Sequence, residues 1–164
     1  MGMDTHTDHR VFALEFMQCV MKRYSLPYSS TELCTTNWKN TNRRFTRKIR
    51  KAVRILAPRF TNFDYKTFKE SGDTDEQRFQ NLVNMLFLLL FPDGYNEKDF
   101  LTFCIHVTKM ASRVFLHGFW KAPDFAVNVI VDSMDYFYSN LDMNEDSWEE
   151  MEKIAEEIVS CPEM

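Results

Sequence analysis

The chain has 164 residues, enough for one domain that buries its own core without disulfide or metal support. Fifteen Phe and ten Met against four Gly and five Pro favour packed helices over a sheet protein, which needs more turn residues. The net charge is −4, yet nine basic residues and no acid lie between Lys39 and Arg59. The four cysteines lack the paired spacing of a disulfide scaffold or zinc motif, which predicts reduced thiols in a cytosolic protein.

The first half of the chain shows two helical patterns with a loop between them. Apolar residues at helical spacing predict a helix over about residues 8–24, with Thr7 or Asp8 as its cap. Residues 25–37 are polar and rich in turn formers, which predicts a loop. A second helix is predicted over about 38–57, where the apolar residues form one stripe among basic ones. That stripe consists of Trp38, Phe45, Ile49, Val53 and Leu56.

Further helices follow, each with a start or stop signal. Aromatic residues over 60–68 predict one or two helical turns. Thr74, with a glutamine three residues later, predicts a capping box, and the helix that it opens stops at Pro92. Pro123 suits the first position of another helix. A last, acidic helix is predicted over about Asp146 to Ser160.

The segment from Phe100 to Phe119 is apolar on nearly every face, which is typical of a buried helix. Polar residues such as Lys109 interrupt it too often for a membrane span of about 20 apolar residues. We therefore expect a central hydrophobic helix over 97–117, ended by Gly118. The predicted fold class is an all-α bundle of amphipathic helices packed around this central helix.

The polar residues give little support for an enzyme, a cofactor or a metal site. No spacing among His, Cys, Asp and Glu matches a metal motif, and the four Gly are too scattered for a phosphate loop. Cys104 and His106 are two positions apart, so on a helix they point to different faces. The basic stretch is a candidate for contact with nucleic acid or an anionic membrane. We favour the alternative that the basic residues form the solvated face of a helix beside an acidic helix. The stretch keeps an apolar stripe, so the helix packs on the core and only its outer face is free.

Four segments, in order and spacing, resemble the Bcl-2 family of apoptosis regulators across about residues 38–159. Phe45–Leu56 resembles the second helix of the family, and Phe79–Phe87 resembles the fourth. Asp93-Gly-Tyr-Asn96 is similar to the Asp-Gly-Val-Asn that opens the first homology motif of the family. Asp146-Ser-Trp-Glu149 resembles the Gly-Gly-Trp-Asp of its second homology motif. The central helix follows the first motif at once, as it does in the family.

The chain also departs from the family pattern. The family's Asn-Trp-Gly-Arg is Asn-Glu-Lys-Asp here, so Lys98 takes the place of the Gly and Asp99 that of the Arg. That Arg pairs with a carboxylate of the bound helix, and Asp99 would repel it. In the family's third homology motif, Asn42-Arg43 stands in place of Gly-Asp. Residues 161–164 form a short tail in place of the membrane-anchoring segment. A compact, tailless, divergent chain resembles the viral members of the family.

The resemblance implies one Bcl-2-like domain over residues 1–164 that inhibits apoptosis. Its mechanism would be sequestration: an apolar groove captures the amphipathic BH-3 helices of pro-apoptotic Bcl-2 proteins. This protein–protein interaction would occur in the cytoplasm, of the host cell for a viral protein, and at the mitochondrial surface through the partners. The residues expected to line the groove are Phe45, Ile49, Val53, Leu56, Leu82, Met85, Leu86, Asn96, Asp99, Thr102 and His106.

Other functions and partners stay open at this point. A Bcl-2-like fold can be reused to interfere with other host signalling, and a pro-apoptotic member is a further alternative. An apolar patch hidden in a homodimer is also considered, because the chain is rich in Phe and the groove mouth is altered. We expect no nucleic acid partner, and membrane contact that is at most peripheral.

Overall fold

The computed structural model describes residues 5–28, 42–60 and 64–161, and within these ranges the regular structure is helical throughout. The described residues contain no strand, so the predicted all-α class is confirmed. Seven α-helices lie in these ranges, and a 3-10 turn, Ala57–Arg59, directly follows the second. In chain order they are α1 Thr5–Arg23, α2 Arg47–Leu56, α3 Tyr65–Lys69, α4 Asp75–Leu90, α5 Glu97–Leu116, α6 Ala122–Ser139 and α7 Glu145–Ser160.

Helix α5 is the centre of the bundle, as its apolar sequence predicts. It packs against α1, α4, α6, α7 and the 3-10 turn, and twelve of its twenty residues are buried. Its buried hydroxyl groups bond within the helix: Thr108 donates to the carbonyl of Cys104 (2.7 Å) and Ser112 to that of Thr108 (2.8 Å). The polar interruptions that argue against a membrane span are therefore compatible with a core helix. No helix among the described residues is long and apolar enough to cross a membrane.

Helices α1, α2 and α7 meet around a cluster of aromatic rings. Phe12 and Phe16 of α1 pack on Phe45, with ring centroids 5.8 and 5.3 Å from it. Phe12 also meets Trp148 of α7 edge to face at 5.1 Å. All four side chains are buried. This cluster fixes α2 against α1 and α7, and thereby sets the position of the candidate site at the end of α2.

Several predicted helix ends are confirmed by their hydrogen bonds. The Asn96 side chain accepts from the amide of Asp99 (2.9 Å) and caps α5, while Gly118, with φ of +102°, follows its end. Thr74 caps α4 by accepting from the amide of Gln77. The predicted capping box there is only half formed, because the Gln77 side chain accepts from Asp73 instead of Thr74.

The starts of the first two helices were predicted wrongly. Helix α1 already includes Thr5, and Asp8, one of its two expected caps, is buried and accepts from the backbone (2.9 Å) and side chain (3.2 Å) of Asn42. Helix α2 starts at Arg47 because Thr46 caps it by accepting from the amide of Ile49. Residues 38–41 of the predicted second helix, and 29–37 of the predicted loop, lie outside the described residues.

Candidate ligand groove

A partly open apolar cavity lies where α2 ends, between the first turns of α5 and the last turns of α7. Its volume is about 250 Å³. We call it the α2–α5–α7 cavity. It is lined by Leu56, Phe60, Lys98, Leu101, Thr102, Ile154, Glu157, Ile158 and Cys161.

Helical spacing brings the walls of the cavity together. Ile154 and Ile158 are four residues apart on α7 and so lie on one face, and both are half-buried. Leu101 of α5 is fully buried beneath the cavity, whereas the neighbouring Thr102 is half-buried at its wall. Helix α7 packs against both α2 and α5, which holds the three walls in place. The cavity therefore presents partly exposed apolar side chains on rigid helices.

Two charged residues of opposite sign border this apolar lining. Lys98 comes from the first turn of α5, and Glu157 from the last turn of α7. Lys98 is exposed, and so its ammonium group is available to a carboxylate of a ligand. An apolar cavity with a few charged groups at its border is a usual form of a ligand-binding site.

A buried lysine holds the 3-10 turn and the residue after it in place beside the cavity. Lys109 of α5 is 8% exposed, and its Nζ donates to the carbonyl oxygens of Ala57 (2.6 Å) and Phe60 (2.8 Å). The ring of His106, one turn earlier, stacks on Phe60 with centroids 4.7 Å apart. Sequence reasoning assigned no role to Lys109. The signal that it gave was a lysine within an otherwise apolar helix.

Burial also lowers the pKa values of two titratable side chains beside this turn. It lowers the pKa of His106, and the nearby charge of Lys109 lowers it further. His106 is therefore uncharged at neutral pH, which is compatible with its stacking on the apolar ring of Phe60. Burial likewise lowers the pKa of Lys109 from that of an ordinary lysine.

Three of the predicted groove residues lie at or beside the cavity. Leu56 and Thr102 line it directly, and His106 packs on Phe60, which lines it. Lys98, Ile154 and Ile158 were absent from the predicted set. The two isoleucines were recognised only as part of a helical stripe, because periodicity alone cannot distinguish a stripe that packs into a core from one that borders a cavity.

Three other predicted residues, one just before α2 and two within it, lie in the core. Phe45, Ile49 and Val53 are 3%, 0% and 1% exposed. Their apolar stripe packs towards α1 and α7, and the cavity begins only at the end of α2. A ligand would reach these side chains only if α2 moved, so their role in binding stays a prediction.

The remaining predicted residues lie on α4 and at the start of α5. Leu82 and Leu86 of α4 are half-buried, and Met85 is 58% exposed. Asn96 and Asp99 bond to each other and line a separate surface depression with Leu89 and Leu90 at the end of α4. None of these residues lines the α2–α5–α7 cavity. Their contact with a ligand stays a prediction.

The described residues contain no candidate metal-binding site. Within residues 5–28, 42–60 and 64–161, no three His, Cys, Asp or Glu side chains are grouped so that they could hold a metal ion. His6 and His9 each bond through Nδ1 to Asp135, at 2.8 and 2.6 Å, in an arrangement that joins α1 to α6.

Comparison of the chain with models of known protein families, with curated proteins and with solved structures found no match. The resemblance to the Bcl-2 family therefore rests on the sequence motifs alone.

Proposed function

We propose that this protein binds an amphipathic α-helix of another protein at the α2–α5–α7 cavity. The observation that carries the proposal is the cavity itself, with half-buried Ile154 and Ile158 facing the start of α5. Apolar side chains that are only half covered gain further burial when a ligand side chain enters, at about 25 cal/mol per Å² of apolar surface. A volume of about 250 Å³ suits one or two anchoring side chains better than a complete small-molecule ligand.

The motif resemblance supplies the class of ligand in this proposal. The ligand is a BH-3 helix of a pro-apoptotic Bcl-2 protein, and its capture in the cytoplasm or at the mitochondrial surface inhibits apoptosis. Such helices present apolar residues at helical spacing, which is the helix-in-groove mode of recognition. A large apolar anchor of the ligand would supply most of the binding energy.

Lys98 supplies the cation that the family motif places one residue later. The side chain of Lys98 borders the cavity, whereas the carboxylate of Asp99 accepts a hydrogen bond from the Asn96 side chain and does not line the cavity. A carboxylate on the ligand helix can therefore pair with Lys98 without facing Asp99. An ammonium group is a point charge and lacks the bidentate geometry of arginine, so this pair selects its ligand less sharply.

Titration calorimetry with a panel of BH-3 peptides tests the proposal. Ile158→Glu places a charge in the half-buried wall of the cavity and is expected to weaken binding at least tenfold, a cost of about 1.4 kcal/mol or more. Leu141→Glu makes the same kind of change, from an aliphatic side chain to a carboxylate, at a leucine that is 85% exposed and does not line the cavity. This control is expected to bind like the wild type.

Circular dichroism of both variants shows whether the helices are intact. No binding of any peptide by the wild-type protein would contradict the proposed function. Equal binding by the wild type and a folded Ile158→Glu variant would show that the site lies elsewhere.

A further inference from the structure

A second cavity, of about 240 Å³, lies between α1 and α2 and has a very different lining. We call it the basic recess. It is lined by Glu15, Gln18, Cys19, Lys22, Arg50 and Arg54. Residues four apart on each helix, such as Arg50 and Arg54, share one face, and the packing of α1 on α2 brings the two faces together. No residue is shared with the α2–α5–α7 cavity, so this inference is independent of the proposed function.

The recess concentrates basic side chains on the side of α2 that faces away from the acidic residues of α7. Towards α7, the basic stretch is paired with acids: Lys48 lies 2.5 Å from Glu156. Towards α1, Lys22 and Arg54 form no ion pair among the described residues. Three cationic side chains thus face one acid in the recess, although the whole chain carries a net charge of −4. Such a local excess attracts anions.

The single acid of the recess is already compensated, most closely by an arginine that lies outside the recess. Glu15 is 6% exposed, and its Oε2 lies 2.5 Å from Arg43 and 3.9 Å from Arg50. Arg43 does not line the recess. The carboxylate charge is therefore offset, and the cations of the recess keep their capacity to bind an anion.

Glu15 also shows what else the ligand must carry. Its second oxygen, Oε1, is buried without a hydrogen-bond donor. A buried carboxylate oxygen without a donor is costly, and a ligand that supplies an O–H would satisfy it. The recess thus favours a ligand that combines negative charge with a hydrogen-bond donor. A phosphate group that keeps one proton has both, whereas sulfate has the charge alone.

The thiol in the recess is not set up for covalent chemistry. Burial raises the pKa of Cys19, although the charges of Arg54 and Arg50 oppose the shift. The thiol therefore stays protonated near neutral pH and is a poor nucleophile. This chemistry favours reversible binding over transfer of a phosphoryl group to the cysteine.

We propose that the basic recess binds a phosphomonoester. Lys22, Arg50 and Arg54 would donate to the phosphate oxygens, and Glu15 Oε1 would accept the remaining phosphate proton. The phosphate belongs either to a small soluble molecule or to a lipid headgroup, and the experiment distinguishes the two.

Calorimetry at about pH 6, where a phosphomonoester keeps about half of its second proton, measures the soluble arm. The probes are inorganic phosphate, glycerol phosphate and sulfate. Arg54→Gln is expected to weaken phosphate binding about tenfold or more, because it removes a charge-assisted hydrogen bond. Arg47→Gln makes the same change at an exposed residue of α2 outside the recess and is expected to have little effect. Glu15→Gln is expected to abolish the preference for phosphate over sulfate, since an amide can donate to either anion.

Vesicle sedimentation measures the lipid arm, with phosphatidic acid as the phosphomonoester lipid and phosphatidylserine at equal charge as the control. Binding of either a soluble phosphomonoester or phosphatidic acid, with loss in Arg54→Gln alone, supports the site and identifies its source of phosphate. The proposal is overturned if neither probe binds, or if sulfate and phosphatidylserine bind as well as their phosphate counterparts. Equal weakening by Arg54→Gln and Arg47→Gln would also overturn it, because it would indicate nonspecific attraction to a basic helix.

Discussion

Replacing Lys109 by methionine tests how the 3-10 turn beside the α2–α5–α7 cavity is held in place. The wild-type ammonium group donates to the carbonyls of Ala57 and Phe60, at 2.6 and 2.8 Å, and so ties α5 to the end of α2. Methionine has a similar length and apolar stem but no donor. The substitution therefore leaves two carbonyl oxygens, in and just after the 3-10 turn, without their strongest partner.

The size of the effect follows from these two bonds. Each hydrogen bond to a charged group contributes about 1.5–3 kcal/mol to stability. Removal of the buried ammonium also removes its desolvation cost, which offsets part of the lost stability. We expect Lys109→Met to lower the free energy of unfolding by about 3 kcal/mol, which corresponds to a decrease in Tm of about 6–12 °C for a domain of this size. Lys51→Met removes an exposed lysine of α2 and is expected to change Tm by far less.

Chemical denaturation across a pH series gives a second, more specific readout. The pKa of Lys109 lies below the 10.5 of an ordinary lysine, so the folded state loses this proton at lower pH than the unfolded state. Between these two pKa values the unfolded state binds more protons, and the contribution of Lys109 to stability rises with pH. The difference in stability between the wild type and Lys109→Met is therefore expected to widen as the pH approaches 10.5. Equal stability of the two proteins at neutral pH would refute the anchoring role of Lys109, whereas a stability difference that stays constant with pH would refute the lowered pKa.

Two further predictions concern the start of α5 and the surface of α4. Asp99→Arg removes the carboxylate that accepts a hydrogen bond from the Asn96 side chain and places a cation in the first turn of α5, so we expect a loss of about 1 kcal/mol in stability with unchanged peptide affinity. Tighter binding in calorimetry would instead show that this position faces the ligand carboxylate. Leu88 and Leu89 are 74% and 73% exposed and are the candidates for a homodimer interface, so Leu89→Asp is expected to shift a dimer to a monomer in sedimentation velocity. A wild-type protein that sediments as a monomer would contradict this second prediction.

The fold was predictable where local signals and tertiary packing agree. The central helix follows from an apolar sequence on nearly all faces. Its ends follow from Asn96, which caps the helix with its side chain, and from Gly118, which adopts a positive φ. The start of α2 was not predictable from its stripe, because Trp38 and Phe45 continue the apolar spacing before the helix. The cap at Thr46 overrides that spacing.

The candidate site was only partly predictable for a related reason. Leu56 and Thr102, which line the cavity, were in the predicted set because the Bcl-2 resemblance implies a groove along the second, fourth and fifth helices. Phe45 belongs to the same stripe but packs on α1, since periodicity gives the direction of a side chain and not the element that covers it. The contribution of Lys98 and of α7 depends on how three helices meet, and no local pattern contains that information.

Methyl NMR on isoleucine-labelled protein tests the central claim most directly, because two of the six isoleucines line the α2–α5–α7 cavity. Addition of a BH-3 peptide is expected to shift the methyl signals of Ile154 and Ile158 most strongly. The signals of Ile49 and Ile130, which are fully buried in the core, are expected to change little. A spectrum that a saturating excess of peptide leaves unchanged, or shifts confined to isoleucines outside the cavity, would contradict binding at this site.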